Sequence, residues 1–236
     1  MPQHSFFCEE LHEGELRLSA DESRHASKVL RLEAGQGVSL LDGNGTSAEA
    51  TIVSVSKRGD EVICSVSNVV RHERHPVNIR LYLAPPRAKV MDLAVRSATE
   101  LGVSRITPIL CRFGVSKPDG SKENWRQTAI VACKQSGNPW MPSFDSPIAF
   151  AEALDSSEEF PVVGMVPRGE RSAEIPSGER SFGLWIGPEG GFAPEEEDSL
   201  IERGAYPLTV GPCILRVETA VPALLGAIHT IIKGIK

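Results

Sequence analysis

The chain has 236 residues, long enough for one or two domains with a sizeable core, and its apolar and charged fractions of 41% and 24% are those of an ordinary soluble globular protein. No apolar run approaches bilayer-spanning length, and Met1-Pro2-Gln3-His4-Ser5 lacks the basic and apolar regions of a signal peptide, so neither a membrane nor an export route is expected. The five cysteines (Cys8, Cys64, Cys111, Cys133, Cys213) form no C-x-x-C pair, which predicts buried or half-buried free thiols in a reducing cytoplasm and no structural zinc or other metal.

The net charge of −6 is unevenly spread. Residues 1–70 carry 6 basic and 11 acidic side chains, residues 71–135 carry 12 and 5, and residues 136–236 carry 7 and 15. A basic middle between acidic ends is a local field that the total hides. On charge alone, a solvated face on the middle helices is the better reading.

Residues 1–70 read as a compact β-rich module, a small barrel. His4 to Cys8 and Glu15 to Leu18 are short strands. Ser19 and Glu22 form a capping box, and the helix they start carries Ala26, Val29 and Leu30 on one face and ends by Gly35. His25, Lys28 and Arg31 fall at helical spacing on a polar face able to bind phosphate. Taken alone, an exposed amphipathic helix accounts for them better. Val38 to Asp42, Ala48 to Ser56 and Glu61 to Val69 are further strands, the last two a hairpin around Arg58-Gly59-Asp60.

Arg71 to Pro76 is charged, aperiodic and read as a linker into a second domain, residues 71–236. There strands alternate with helices, as in a mostly parallel α/β sheet. Asn78 to Ala84 is a strand, Lys89 to Leu101 a helix closed by Gly102, Arg105 to Leu110 a strand and Ser121 to Gln135 a helix. Residues 137–160 carry no clear pattern. Pro161 to Val166, Phe182 to Ile186 and Leu208 to Val210 are strands; helices start at Pro194 and at Thr219.

The chain has no G-x-x-x-x-G-K-[ST], no early G-x-G-x-x-G, no G-x-S-x-G and no zinc-spaced histidines. Its glycine turns come late: Gly187-Pro188-Glu189-Gly190-Gly191 after one strand and Gly211-Pro212 after another. Turns of this kind at the carboxyl ends of parallel strands are where an open α/β sheet binds its ligand.

Several stretches together carry a resemblance: Val163 to Arg168; Ile186-Gly187-Pro188-Glu189-Gly190-Gly191-Phe192; Gly211-Pro212-Cys213-Ile214-Leu215-Arg216-Val217-Glu218-Thr219-Ala220; His25 with Val29-Leu30-Arg31; Ala98 to Val103; and Gln135-Ser136 with Pro142. Taken in chain order they resemble the RsmE-type 16S ribosomal RNA uridine-N3 methyltransferases of the SPOUT superfamily, over nearly the whole chain. Arg96 stands where that family usually has Lys, Lys134 where it has Glu, and Asn138 where it has Arg.

The resemblance implies a PUA-like RNA-binding barrel before an α/β domain whose chain end forms a trefoil knot. It also implies a homodimer and S-adenosylmethionine as methyl donor. Met165, Ile186, Gly187, Pro188, Gly190, Gly191, Val210, Gly211, Ile214, Leu215, Thr219 and Ala220 are then expected to hold the cofactor, with Ile186, Ile214 and Leu215 walling the adenine. Arg216 would stabilise charge on the uracil or bind its phosphate. Glu218 would accept a proton or orient Arg216, or the two would form a helix-capping ion pair. His25, Lys28, Arg31, Arg87, Lys89, Arg96 and Arg168 would meet 16S RNA or the small ribosomal subunit. The alternatives are another rRNA or tRNA position, or a non-catalytic RNA-binding assembly factor.

Overall fold

The computed structural model describes residues 4–114, 122–164 and 174–234. Two compact units emerge. One holds the residues up to Arg74 together with Ile130–Met141, and the other holds His75–Ala129 and the residues from Pro142 on. Division at residue 70 assigns 130–141 to the second domain by chain order, yet they cluster with the first unit.

The first unit is a sheet of β1 (Ser5–Phe7), β2 (Gly14–Arg17), β3 (Gly37–Leu41), β4 (Thr46–Val55) and β5 (Val62–Arg71), in the order β1-β3-β4-β5-β2. β1 lies parallel to β3 and the other pairs are antiparallel. Register shifts between Ser47 and Glu49 and between Ile52 and Ser54 bend the long β4–β5 pair. Alternate residues Phe6, Leu16, Val38, Leu40, Ile52 and Cys64 fill its core. Phe7 and Leu41, on the other face, pack with Ile130, Cys133 and Met141.

Helix α1 (Ala20–Arg24) starts as expected: the Ser19 hydroxyl accepts the Glu22 N–H at 3.2 Å. It then departs from the sequence reading. His25–Val29 form a π-helical turn in which the Leu30 N–H reaches the His25 carbonyl at 3.0 Å. The wider turn rotates the chain, so Ala26 is buried while Val29 is 66% exposed. Arg31 follows at φ 54. His25, Lys28 and Arg31 therefore do not share one α-helical face.

The second unit is a parallel sheet built from β6 (Asn78–Leu83), β7 (Arg105–Leu110), β8 (Ser143–Phe144), β9 (Ile148–Ala149), β10 (Phe160–Gly164), β11 (Ser181–Ile186) and β12 (Tyr206–Leu208). The order is β12-β10-β11-β6-β7-β8, with β9 also on β7. Thr209 and Val210 lie beyond the β12 strand rather than in it. The stretch 137–160, patternless in sequence, supplies β8, β9 and α4 (Phe150–Ser156).

Helix α2 (Ala88–Glu100) buries Met91, Ala94, Val95 and Ala98 and ends at Gly102, φ 74, with the Val103 N–H donating to the Ala98 carbonyl at 2.9 Å. Helix α3 is Lys122–Ser136, α5 Pro194–Glu202 and α6 Val217–Gly234. α2 packs against α6, and α6 against β11. Tyr82, Val163 and Trp185 face a cluster with Phe150, Phe192 and Leu200 of the α4–α5 side, whereas Gly164 faces Leu224 of α6. Helices thus cover both faces, which fits the nearly continuous apolar runs of these strands. Among the described residues no helix is long and apolar enough to cross a membrane.

Candidate functional site

Because every pair in this sheet is parallel, β12, β10 and β11 deliver their carboxyl ends to one edge. The strand order runs outward from β6 to β7 on one side and to β11 and β10 on the other, which marks β6 as the switch point of an open α/β sheet. β11 and β12 flank β10, so the two glycine turns stand on either side of it.

The first turn leaves β11 at the buried Ile186. A β-carbon on Gly187 would stand 3.0 Å from the Phe192 ring and 3.1 Å from its backbone nitrogen, so a side chain would crowd this corner of the turn. The Gly191 N–H donates to the Pro188 carbonyl at 2.8 Å, and Gly191 itself has φ 80. Beside Gly191 and Gly211 a β-carbon would meet nothing within 4 Å, so open space borders the backbone at both. Such exposed backbone lets a flat polar ligand approach closely.

The turn is anchored by Glu196 in α5. One carboxylate oxygen accepts the Ala193 N–H at 2.8 Å and the other accepts the Arg112 N–H at 2.8 Å. The Arg112 side chain pairs with Glu195. Glu195 is held below the ordinary carboxylate range, first by its own backbone N–H and then by Arg112. The loop after β7 is thus tied to the start of α5. Neither Arg112 nor Glu196 has a sequence signature, because their meeting depends on strand order.

The second turn follows β12 through Thr209 and Val210 to Gly211, φ 76. Its residues Gly211 to Ile214 are exposed, Leu215 is half-buried, and Arg216 is exposed at the threshold of α6. The Arg216 carbonyl accepts the N–H groups of Thr219 (2.9 Å) and Ala220 (2.7 Å), and this fixes its backbone. Glu218 sits half-buried in the first turn, where the helix dipole favours a carboxylate. Among the described residues no ion pair joins Arg216 to Glu218, which leaves the guanidinium open to an incoming group.

Of the expected cofactor residues, Ile186, Pro188 and Ala220 are buried, while Gly190, Gly191, Gly211 and Thr219 present themselves at the surface. Ile214 is 87% exposed and does not join Ile186 in one apolar wall. The segment from Gly211 to Arg216 belongs to no strand or helix that would hold it inward. Met165 and Arg168 lie outside the described residues.

The cations expected at RNA fall into local groups. In the first unit, Lys28 and Arg31 are exposed and the His25 ring rests edge-on to Phe6 at 6.3 Å. In the second, Arg87 precedes the first turn of α2, and Lys89 and Arg96, seven residues apart, lie exposed on one side of that helix. The thiols also divide: Cys8, Cys64 and Cys133 are buried and Cys111 is half-buried, but Cys213 is exposed in the second turn, contrary to the expectation for it.

The chain matches the family described as RNA methyltransferase domain over residues 73–229, and that described as RNA methyltransferase PUA domain over residues 18–64. It is 28% identical over 226 residues to the ribosomal RNA small subunit methyltransferase E of Aquifex aeolicus, covering 94% of this chain and 97% of that protein. Among solved structures it resembles a methyltransferase from Legionella pneumophila in complex with the bound cofactor SAM, at 27% identity and a TM-score of 0.87, with 98% of each chain covered. It also resembles the small subunit methyltransferase E of Neisseria gonorrhoeae bound to S-adenosyl methionine, at 27% identity and a TM-score of 0.86, with 97% of each chain covered.

Proposed function

Because the chain belongs to the RNA methyltransferase domain family, we infer that it methylates 16S ribosomal RNA at N3 of a uridine, with S-adenosylmethionine as methyl donor. The observation that carries this reading is the pair of glycine turns flanking β10 at the carboxyl edge of the sheet. The open space beside Gly191 and Gly211 fits an adenosine held by backbone groups, and no phosphate-binding signature competes for these turns. Met165, Ile186, Gly187, Pro188, Gly190, Gly191, Val210, Gly211, Ile214, Leu215, Thr219 and Ala220 would hold the donor. When bound it supplies an activated methyl group on a sulfonium.

The protein's own task is alignment and charge. N3 of uracil must lose a proton, and negative charge spreads to O2 and O4. Arg216 would stabilise that charge or hold the target phosphate; its exposure and its freedom from an ion pair among the described residues support this. Glu218, two residues on, accepts the proton or orients Arg216. His25, Lys28, Arg31, Arg87, Lys89, Arg96 and Arg168 bind the RNA backbone, whose contribution weakens with salt.

The reading extends to a homodimer working on ribosomal RNA in the cytoplasm, with the trefoil threading of its family. α6 supports the dimer, since Pro222, Ala223, Gly226 and Ala227 leave a second, half-buried apolar side beyond the buried Val221, Leu225 and Ile228. The test is nucleoside analysis of 16S RNA incubated with the protein and S-adenosylmethionine. We expect 3-methyluridine at one position. Unmodified RNA, or methylation of a different base, overturns the assignment.

A further inference from the structure

We propose that Phe113 is the platform on which the target pyrimidine stacks once it has left the RNA stack; this rests on the methyl-transfer reading above. Among the described Phe, Tyr and Trp side chains, Phe113 alone is clearly exposed, at 48%. Scattered exposed aliphatics are ordinary on a protein surface. What sets Phe113 apart is where it stands and how firmly it is kept there.

It lies at the corner of a tight turn that closes β7, in which the Gly114 N–H donates to the Cys111 carbonyl at 3.0 Å. The preceding residue is tied twice to α5: the Arg112 N–H donates to Glu196 at 2.8 Å and its guanidinium pairs with Glu195. The same guanidinium lies 5.9 Å from the centre of the Phe113 ring. Inward of the turn, Cys111 packs on the apolar cluster of the sheet. The loop is therefore fastened, and the ring is held in water rather than tucked under.

The neighbour it is held against is the first glycine turn. The one atom near a β-carbon placed on Gly190 would be the Phe113 β-carbon, at 3.8 Å. Phe113 thus meets the first glycine turn at its β-carbon, from the β7 side of the sheet. A base presented to a methyl group in this edge needs one face covered, and an aromatic side chain covers any base without demanding a particular hydrogen-bond pattern. Identity would then be read at the uracil edge by polar groups, and Phe113 would supply position.

The decisive variants are Phe113→Ala, Phe113→Tyr and Phe113→Trp. With wild-type protein and small-subunit RNA as reference, Phe113→Ala should lower kcat/KM for RNA about tenfold or more, while calorimetry shows an unchanged affinity for S-adenosylmethionine. Phe113→Tyr should restore most of the rate. The fluorescence added in Phe113→Trp should be quenched by a short oligouridylate and not by an abasic chain of equal length. Unchanged kinetics in Phe113→Ala, loss of S-adenosylmethionine binding in that variant, or equal quenching by the two chains would each overturn the proposal. A wild-type protein that transfers no methyl group would sink the function assigned above, while the quenching comparison would still decide the role of Phe113.

Discussion

The Lys134 ammonium lies 2.7 Å from one carboxylate oxygen of Glu22 and 2.9 Å from the other, with the side chains only 18% and 11% exposed. Glu22 does not reach back to close the capping box its spacing suggests; its carboxylate also receives the Phe7 N–H at 3.4 Å. It joins α1, β1 and the far end of α3 within the first unit. Removing either partner strands a mostly buried charge. We expect Lys134→Met to destabilise the protein by about 2–4 kcal/mol. Adding Glu22→Gln should recover part of that loss, read as a coupling energy in urea melts of the four proteins of the cycle. Strict additivity would show that the contact contributes nothing.

Gly45 is pressed against the Trp140 indole so closely that a β-carbon would overlap the ring, and its φ is 95. The same indole carries the Arg74 guanidinium at 4.1 Å and that of Arg71 at 5.0 Å, and its N–H donates to the Glu73 carbonyl at 3.2 Å. Gly45→Val should cost about 2–3 kcal/mol through strain and displacement of Trp140. Tryptophan emission would report the displacement, and an unchanged spectrum and melting temperature would contradict this.

The first glycine turn allows a sharper separation of fold from binding. Gly190 has no positive φ and open surroundings apart from Phe113, so Gly190→Val should fold normally yet lose S-adenosylmethionine binding. Circular dichroism and calorimetry on the same sample decide it. Retained affinity would remove the turn from the cofactor site.

Arg216→Ala should lower turnover at least tenfold while changing cofactor affinity little, as expected for a group that meets charge arising in the transition state. The reverse pattern would move Arg216 from chemistry to binding.

Burial pushes the thiols of Cys8, Cys111 and Cys133 from 9.0 up to about 12, and that of Cys64 up to about 11. Each raised value favours the protonated, folded form. The stabilisation is complete below the unfolded thiol value and fades as pH rises from about 9 toward 12. The urea midpoint should therefore fall steadily above pH 9, and less steeply in Cys133→Ala. Below pH 9 a thiol reagent should modify Cys213 quickly and the buried Cys8, Cys64 and Cys133 only on unfolding.

The β/α alternation, the Gly102 stop and the two glycine turns were legible because each is local: a period, a cap, a cluster of Gly and Pro. The π turn at His25–Val29 was not, since an i+5 register leaves no mark in the apolar pattern and the motif reads equally well as an α-helix. That β11 and β12 bracket β10 follows from crossovers between distant segments, which periodicity cannot rank. Phe113 escaped for a related reason. A single aromatic in a loop has no repeat to announce it, and its importance appears only when Gly190, 77 residues later, arrives beside it.

The allegiance of Ile130–Met141 to the first unit has a consequence for how the protein is made. As the chain leaves the ribosome, β1 to β5 emerge early, but Lys134, the partner of Glu22, and Trp140, the partner of Gly45, come only after β6, α2 and β7. The amino-terminal sheet has its own core, but Phe7 and Leu41 stay uncovered until more than half of the polypeptide has been synthesised. The closing of that face is therefore timed by translation of part of the other unit, and a stalled or truncated product ending at residue 74 would expose it to chaperones and proteases.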